Sequence, residues 1–307
     1  MEQAAFEYGL YEICVGDSVR KNEPMSEHTT FRTGGNADYF VIPSDRNIFI
    51  RLLHYIRQTE REYFILGKGS NILVGDRGYR GTVIDTSGMM NNVSIEGEVI
   101  RAEAGAGLGN VANLAAEASL TGMEFASGIP GSIGGAVFMN AGAYGGEMSQ
   151  IVTSVEVMDA SGKVKSLAGS EMEFAYRASV AQRENLPIIA VEMRLQRGRK
   201  ETIKERIREL GIERAKKQPL EFPSAGSTFK RPEGYYAGKL ISDAGLSGLT
   251  IGGACVSPKH NGFIINLGDA TSEDILNLIN EVKDRVRAGF GVELVPEIKM
   301  IGEFQGE

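Results

Sequence analysis

Five consecutive residues, Gly67-Lys68-Gly69-Ser70-Asn71, are of types that can cradle an anion. Glycines let backbone N–H groups come close, and Ser70 and Asn71 add side-chain donors. Such a nest suits a pyrophosphate, although taken alone the segment reads first as a tight turn. A second block, Gly128-Ile129-Pro130-Gly131-Ser132-Ile133-Gly134-Gly135-Ala136, alternates glycine with small apolar residues. Close backbone packing explains any single glycine there. The eight glycines between 122 and 146, with Asn140-Ala141-Gly142-Ala143 continuing the pattern, favour a ligand. An extended aromatic cofactor carrying a pyrophosphate would use both segments. Two other nucleotide-binding classes fail on spacing. A G-x-G-x-x-G fingerprint needs glycine at 72, where Ile72 stands, and the nearest approach to a Walker A loop, Gly234–Lys239, has too few intervening residues.

Metal and thiol chemistry has little to work with. Cys14 and Cys255 form no CxxC, and His28, His54 and His260 are far apart, so no metal site and no disulfide framework is expected. The charge balance is 33 basic against 40 acidic residues, a formal net charge of −7, with no tryptophan. That excludes a nucleic-acid surface built on basic patches or base stacking. The first residues lack a signal peptide's basic and apolar regions, and no apolar run reaches the ~20 residues of a membrane span. A soluble chain of a reducing cytoplasm is expected, with no membrane insertion.

The elements that would position these segments follow from periodicity. Residues 1–27 read as a leader or short helix. Asp38–Pro43 reads as a strand ended by proline, and Ser44 or Asp45 can cap a helix whose apolar positions are Ile48, Leu52, Leu53 and Ile56. Tyr63–Leu66 and Thr82–Ile84 read as short strands, and Val93–Ala104 as a hairpin around Glu96-Gly97. Leu108–Leu120 has the Val111, Leu114, Ala115, Ala118 spacing of a packed helix. Strands are expected around Val155–Met158, Val164–Leu167 and Pro187–Leu195. Arg197–Lys217 is a charged surface helix with an Ile203, Ile207, Leu210, Ile212 stripe. The last third mixes strands (Leu249–Val256, Gly262–Asn266, Val292–Gly302) with a helix begun by Thr271 and Asp274 and faced by Ile275, Ile279, Val282 and Val286. The class is α+β with segregated domains.

Six motifs in order then carry a family resemblance: His28-Thr29-Thr30-Phe31-Arg32-Thr33-Gly34-Gly35; Leu66–Asn71; Gly128–Gly135 with Asn140–Ala143; Tyr176-Arg177; Ala225-Gly226-Ser227-Thr228-Phe229-Lys230; and Pro296–Gly302. The chain resembles the UDP-N-acetylenolpyruvoylglucosamine reductase family from about residue 28 to 303, in its compact form without an extra tyrosine loop. The resemblance implies an α+β fold: a two-part FAD-binding domain of the vanillyl-alcohol-oxidase/PCMH type, residues 1–86 and 87–200, then a smaller α+β substrate domain, 201–307, whose last strand returns Glu297 to the active site. It implies non-covalent FAD, in keeping with glycine segments that hold no His or Cys. It also implies NADPH as co-substrate, UDP-N-acetylglucosamine enolpyruvate as substrate in peptidoglycan precursor synthesis, and a monomer or weak homo-oligomer.

The implied reaction passes hydride from NADPH to FAD, then from flavin N5 to C3 of the enolpyruvyl group, with a proton added at C2. Conjugation to the carboxylate makes the intermediate enolate-like, so a cation, an oxyanion stabiliser and a proton source are needed. Arg177 fits the cation, since a guanidinium grips a carboxylate with two parallel bonds. Ser227 fits the proton donor to C2, with Lys230 as a nearby cation, although an unassisted hydroxyl is a weak acid. Glu297, following Pro296 in what reads as an apolar strand, would stay protonated or orient Arg177 and water; a structural salt bridge is the second reading. For FAD the resemblance implies Gly67, Lys68, Gly69, Ser70, Asn71, Gly128, Ile129, Pro130, Gly131, Ser132, Gly135, Asn140, Ala141 and Arg214. For substrate it implies Tyr176, Lys217, Lys230, Lys239, His260 and Asn261, although charges at 214–217 read equally as a solvated helix face. Two positions depart from the family: Arg231 where asparagine is common, and Lys299 where arginine is. A flavin-linked oxidase with another substrate and a non-catalytic nucleotide-sugar-binding protein are the alternative functions.

Overall fold

A computed structural model describes residues 2–14 and 18–305. The chain divides into two compact units, each assembled from three separate stretches. The first comprises Met1–Lys21, Tyr39–Lys68 and Gly81–Glu213, and the second Asn22–Asp38, Gly69–Arg80 and Arg214–Glu307.

The first unit contains two hydrophobic cores. One gathers Phe6 and Leu10 from the helix Glu2–Ile13 with Phe49, Leu52, Leu53 and Ile56 from the helix Arg46–Gln58. Asp45 caps the second helix, its carboxylate accepting the N–H groups of Asn47 (2.7 Å) and Ile48 (3.0 Å). Phe49, not the half-buried Ile48, completes the inward stripe. The Tyr63–Leu66 strand pairs in parallel with Thr82–Asp85 against this core and delivers the chain to Gly67. The expected leader is thus partly a packed helix, with a strand, Val19–Pro24, that the polar sequence hid; its residues 1 and 15–17 lie outside the described residues.

The other core backs a five-stranded antiparallel sheet, in the order Val164–Ala168, Val152–Met158, Ile188–Arg194, Val99–Glu103, Val93–Glu96. The helices Leu108–Glu117 and Ile133–Phe138 supply Leu108, Val111, Ala112, Ile133 and Val137 to it. Leu114, expected inside, is exposed, because the helix turns Ala112 and Ala115 inward. In the charged helix Lys200–Lys217 only Ile203 and Leu210 are buried. Ile212 is exposed, because it falls two residues beyond Leu210 and so points away from its face.

In the second unit the helix Ser272–Phe290 lays Ile275, Leu278, Ile279, Val282 and Val286 on a three-stranded sheet formed by Thr250–Ile251, Ala254–Val256 and Ile264–Asn266. Each such side chain contributes about 1.5–3 kcal/mol by leaving water. Thr271 and Asp274 form the expected capping box. Asp76 adds a second cap from far back in the chain, accepting the N–H groups of Ser272 and Glu273, both at 2.9 Å. A parallel strand pair, Ile72–Val74 with Lys299–Ile301, joins the stretch after the first glycine-rich segment to the end of the chain.

Candidate active site

In the first unit, Arg177 stands at the tip of a tight turn closed by reciprocal backbone bonds between Ala175 and Ala178, both 3.1 Å. Its backbone is left-handed (φ +53°), a conformation that costs a non-glycine residue about 1–2 kcal/mol and persists only where surroundings hold it. They do. Arg177 Nη2 donates to Gly142 O (3.0 Å) and Nη1 to Asn140 O (3.4 Å), and the guanidinium lies 5.1 Å from the centre of the exposed Tyr176 ring. Asn140 is itself buried and left-handed (φ +43°). Its Nδ2 donates to Ala175 O (3.1 Å), and its Oδ1 accepts the N–H of Ser149 (2.9 Å). Implied by the resemblance to serve the cofactor, Asn140 uses its amide to tie the end of the glycine-rich stretch to the turn carrying Arg177. Ala141 beside it is half-buried.

Both glycine-rich segments reach this unit. A Cβ on Gly67 would collide with Ser132 Oγ, so the first segment closes on the second only because glycine stands there. Ser132 caps the short helix Ile133–Phe138 through Gly135 N–H (3.3 Å). Gly134 faces Ala104 and serves close packing, as expected of a single glycine in this block. Around Gly131, by contrast, an added Cβ would meet nothing within 4 Å among the described residues, and Gly128, Pro130 and Gly135 are exposed. Lys68 is exposed and Ile129 half-buried. Exposed, uncrowded glycine backbone of this kind can approach the pyrophosphate of an FAD closely.

In the second unit Gly69 turns left-handed (φ +60°) against the His28 carbonyl, where a Cβ would clash, and its own carbonyl accepts Thr30 N–H (3.0 Å). The His28 motif thereby buttresses the first glycine segment, with Ser70 and Asn71 following half-buried. Ser227 is exposed, one residue before the fully buried Thr228. Thr228 N–H donates to Gly262 O (2.8 Å), its Oγ1 accepts Ile264 N–H (3.0 Å), and its carbonyl accepts Glu297 N–H (2.8 Å). Phe229 bridges Pro296, and Lys230 N–H donates to Val295 O (2.8 Å). Ser227, Lys230 and Glu297 are therefore brought to one short antiparallel crossing. Glu297 is half-buried and does not lie within an apolar strand. Pro296, lacking an N–H, interrupts the ladder, and regular pairing resumes only at Lys299. Burial holds the Lys299 ammonium below the ordinary lysine range, and the charge of Lys230 adds to the effect.

The remaining expected contacts scatter more widely. Burial pushes the His260 imidazole below its ordinary value. Its Nδ1 accepts Gly262 N–H (3.2 Å), which assigns the proton of the neutral ring to Nε2, and its ring packs edge-on to Phe263 at 4.8 Å. Asn261 Nδ2 is buried without a hydrogen-bond partner among the described residues, as is Oε1 of Gln218, next to Lys217. Such groups cost stability unless a ligand meets them. Lys239 is paired with Asp243 (2.7 Å), a surface contact four residues along its helix. Arg214 and Lys217 lie on the last turn of the Lys200–Lys217 helix. The Arg231 guanidinium lies over the Tyr236 ring, 4.0 Å from its centre. Sequence types gave no sign of the positioning roles of Asn140 and Thr228; the asparagine's place directly after a glycine block was the available signal.

Comparisons with known proteins bear on this arrangement. Residues 218–301 match the family described as UDP-N-acetylenolpyruvoylglucosamine reductase, C-terminal domain, and residues 37–168 match an FAD binding domain. A UDP-N-acetylenolpyruvoylglucosamine reductase of Caldanaerobacter subterraneus subsp. tengcongensis is 52% identical over 294 residues, covering 96% of this chain and 97% of the relative. One from Clostridium botulinum is 48% identical over 93% of both chains. The crystal structure of the Thermus caldophilus UDP-N-acetylenolpyruvylglucosamine reductase superposes with a TM-score of 0.80 at 34% identity, covering 92% of this chain and 99% of that one. A variant of Phl p 4, a glucose oxidase, shares the fold alone, at 15% identity and a TM-score of 0.50 over 64% of this chain and 44% of that one. The expected α+β flavin-binding fold and the FAD cofactor thus stand, and among the described residues no helix is long and apolar enough to cross a membrane. The chain belongs to the UDP-N-acetylenolpyruvoylglucosamine reductase family of FAD-dependent oxidoreductases.

Proposed function

We propose that this chain reduces UDP-N-acetylglucosamine enolpyruvate to UDP-N-acetylmuramate in the cytoplasm, with NADPH as electron donor. The observation that carries the reading is the Arg177 guanidinium, held in a strained turn by the carbonyls of Asn140 and Gly142. Such strain is kept where geometry serves function. FAD, when bound, supplies the hydride that NADPH provides.

Addition at C3 of the conjugated double bond moves negative charge onto C2 and the carboxylate. Arg177 binds that carboxylate with a charge that cannot be lost at any working pH and stabilises the developing enolate. Ser227, exposed at the crossing with the Glu297 segment, places its hydroxyl proton on C2. Lys230 favours the alkoxide that remains until solvent reprotonates it. Glu297 donates to, or orders water against, the enolate oxygen. Gly67–Ser70, Gly128–Ser132, Gly135, Ala141 and Arg214 serve the cofactor, with the backbone of Asn71 closing the first segment and Asn140 acting through the turn it fixes. Tyr176, Lys217, Lys239, His260 and Asn261 serve the UDP-sugar, and the partnerless Asn261 amide supports its part in this.

In this reading residues 1–86 and 87–200 are two FAD-binding subdomains and 201–307 the substrate domain, with Phe31 and Leu73 joining the core of the last and Met158 and Ile189 that of the first. The protein acts as a monomer or weak homo-oligomer. The test is rapid mixing of the FAD-loaded protein. NADPH should bleach the flavin band, and UDP-N-acetylglucosamine enolpyruvate should restore it. A protein bleached by NADPH but never reoxidised by this substrate would sink the reading.

A further inference from the structure

Asn71 closes the first glycine-rich segment, and its residue type alone gives its amide to the cofactor's pyrophosphate. The structure ties it instead to the segment that carries Glu297. The Asn71 carbonyl accepts Lys299 N–H (3.0 Å), and its Nδ2 donates to the Glu297 carbonyl (3.4 Å). The two contacts fall two residues apart on the same segment, as successive rungs of a parallel ladder do. The regular register pairs Lys299 with Ile72, Met300 with Leu73 and Ile301 with Val74. The Asn71 side chain therefore adds one rung beyond it, where Pro296 and the bend after Glu297 leave no strand to continue. From the other side Glu297 N–H is held by Thr228 O (2.8 Å), and Thr228 is fully buried and fixed by Gly262 and Ile264. Both backbone polar groups of Glu297 are thus anchored, one by Asn71 and one by the neighbour of Ser227.

We propose that Asn71 is a positioning residue that sets where the Glu297 carboxyl lies, and that it acts on the oxidation of reduced flavin by substrate, through the enolate that Glu297 serves, more than on cofactor affinity. The inference rests on the role proposed for Glu297. Misplacing a reacting group by about 1 Å can cost ~100-fold in rate, so losing one of two anchors should be visible in that step alone.

The test uses the full chain loaded with FAD and the variants Asn71→Ala, Asn71→Asp, Glu297→Gln and Asn71→Ala/Glu297→Gln. Asn71→Asp keeps size and removes the donor, so it carries the comparison if Asn71→Ala fails to fold. Three quantities are read: FAD dissociation constant, flavin bleaching by NADPH, and reoxidation by UDP-N-acetylglucosamine enolpyruvate across a pH series. Reoxidation should slow roughly 10–100-fold with an altered pH profile, at least tenfold more than FAD affinity or bleaching change. The double variant should be no slower than Glu297→Gln, because both changes disable the same group. A loss of FAD affinity that matches the loss in reoxidation, or additive losses in the double variant, would overturn the inference and leave the role of Glu297 standing. Reoxidation of Glu297→Gln at the wild-type rate would remove that role, and this inference with it.

Discussion

The turn that carries Arg177 and the crossing that carries Ser227 and Glu297 solve the same problem by different means. Arg177 is held through side chains. Asn140 and Ser179 stitch its turn to the end of a short helix, and the guanidinium itself bonds to carbonyls of that stretch. Ser227 and Glu297 are held through backbone, by a bridge, two ladder-like bonds and the buried Thr228. In the proposed reaction the cation is fixed by its turn and by its bonds to carbonyls, whereas the hydroxyl donor stands exposed on a fixed stretch of chain.

The contrast breaks most sharply at Arg177. Arg177→Ala should lower kcat/KM for the UDP-substrate by roughly 10²–10³-fold, the loss typical of one group that stabilises an oxyanion, and Arg177→Lys should recover only part of it. Steady-state kinetics beside thermal melting separates this from unfolding. Ser227→Ala comes next. Reoxidation of the reduced flavin by substrate should fall by about 10²-fold or more, with bleaching by NADPH largely retained. If both half-reactions fell together, Ser227 would not be the donor. Asn140→Ala tests whether side chains truly hold the turn. It removes the bonds to Ala175 and Ser149 from a buried site, and denaturant titration should show a loss of about 1–3 kcal/mol with a raised KM.

A smaller effect is expected of pH on the second unit. The half-buried His260 binds its proton less readily in the fold than in the unfolded chain, because burial lowers its pKa below the ordinary value of 6.5. As pH falls below about 6.5 the unfolded chain takes up a proton that the folded chain refuses, so this part of the stability is complete above that pH and lost beneath it. Urea midpoints between pH 7.5 and 5 should fall less steeply in His260→Gln. Smallest of all is Lys239→Ala. Its exposed pair with Asp243 should be worth less than about 1 kcal/mol, and an unchanged KM would remove Lys239 from substrate contact.

Much of the fold was legible wherever the information is local. The capping box at Thr271, the cap at Asp45, the hairpin at Glu96-Gly97 and the apolar stripe of the last helix are written within a few residues each. The glycine segments announced exposed, closely approaching backbone because glycine is conspicuous. What could not be read depends on distant partners. Nothing near Asp76 says that it caps a helix starting at Ser272, and nothing near Asn71 says that it meets Glu297. Nothing near Asn140 says that its amide meets Ala175 and Ser149, because both partners lie on other segments. Ile212 matched a helical stripe whose inner face ends at Leu210.

The interleaving of the two units also sets an order of events during synthesis. The strand Ile72–Val74 pairs with Lys299–Ile301, and Asn71 waits for a partner 226 residues downstream. At about 5–20 residues per second the ribosome needs roughly ten to fifty seconds to make that intervening chain. Until the residues after 225 are made Leu73 lacks most of the core it joins, and until Lys299–Ile301 emerge its strand has no parallel partner. Truncation shortly before residue 299 should therefore unseat residues near the beginning of the chain as well as those at its end.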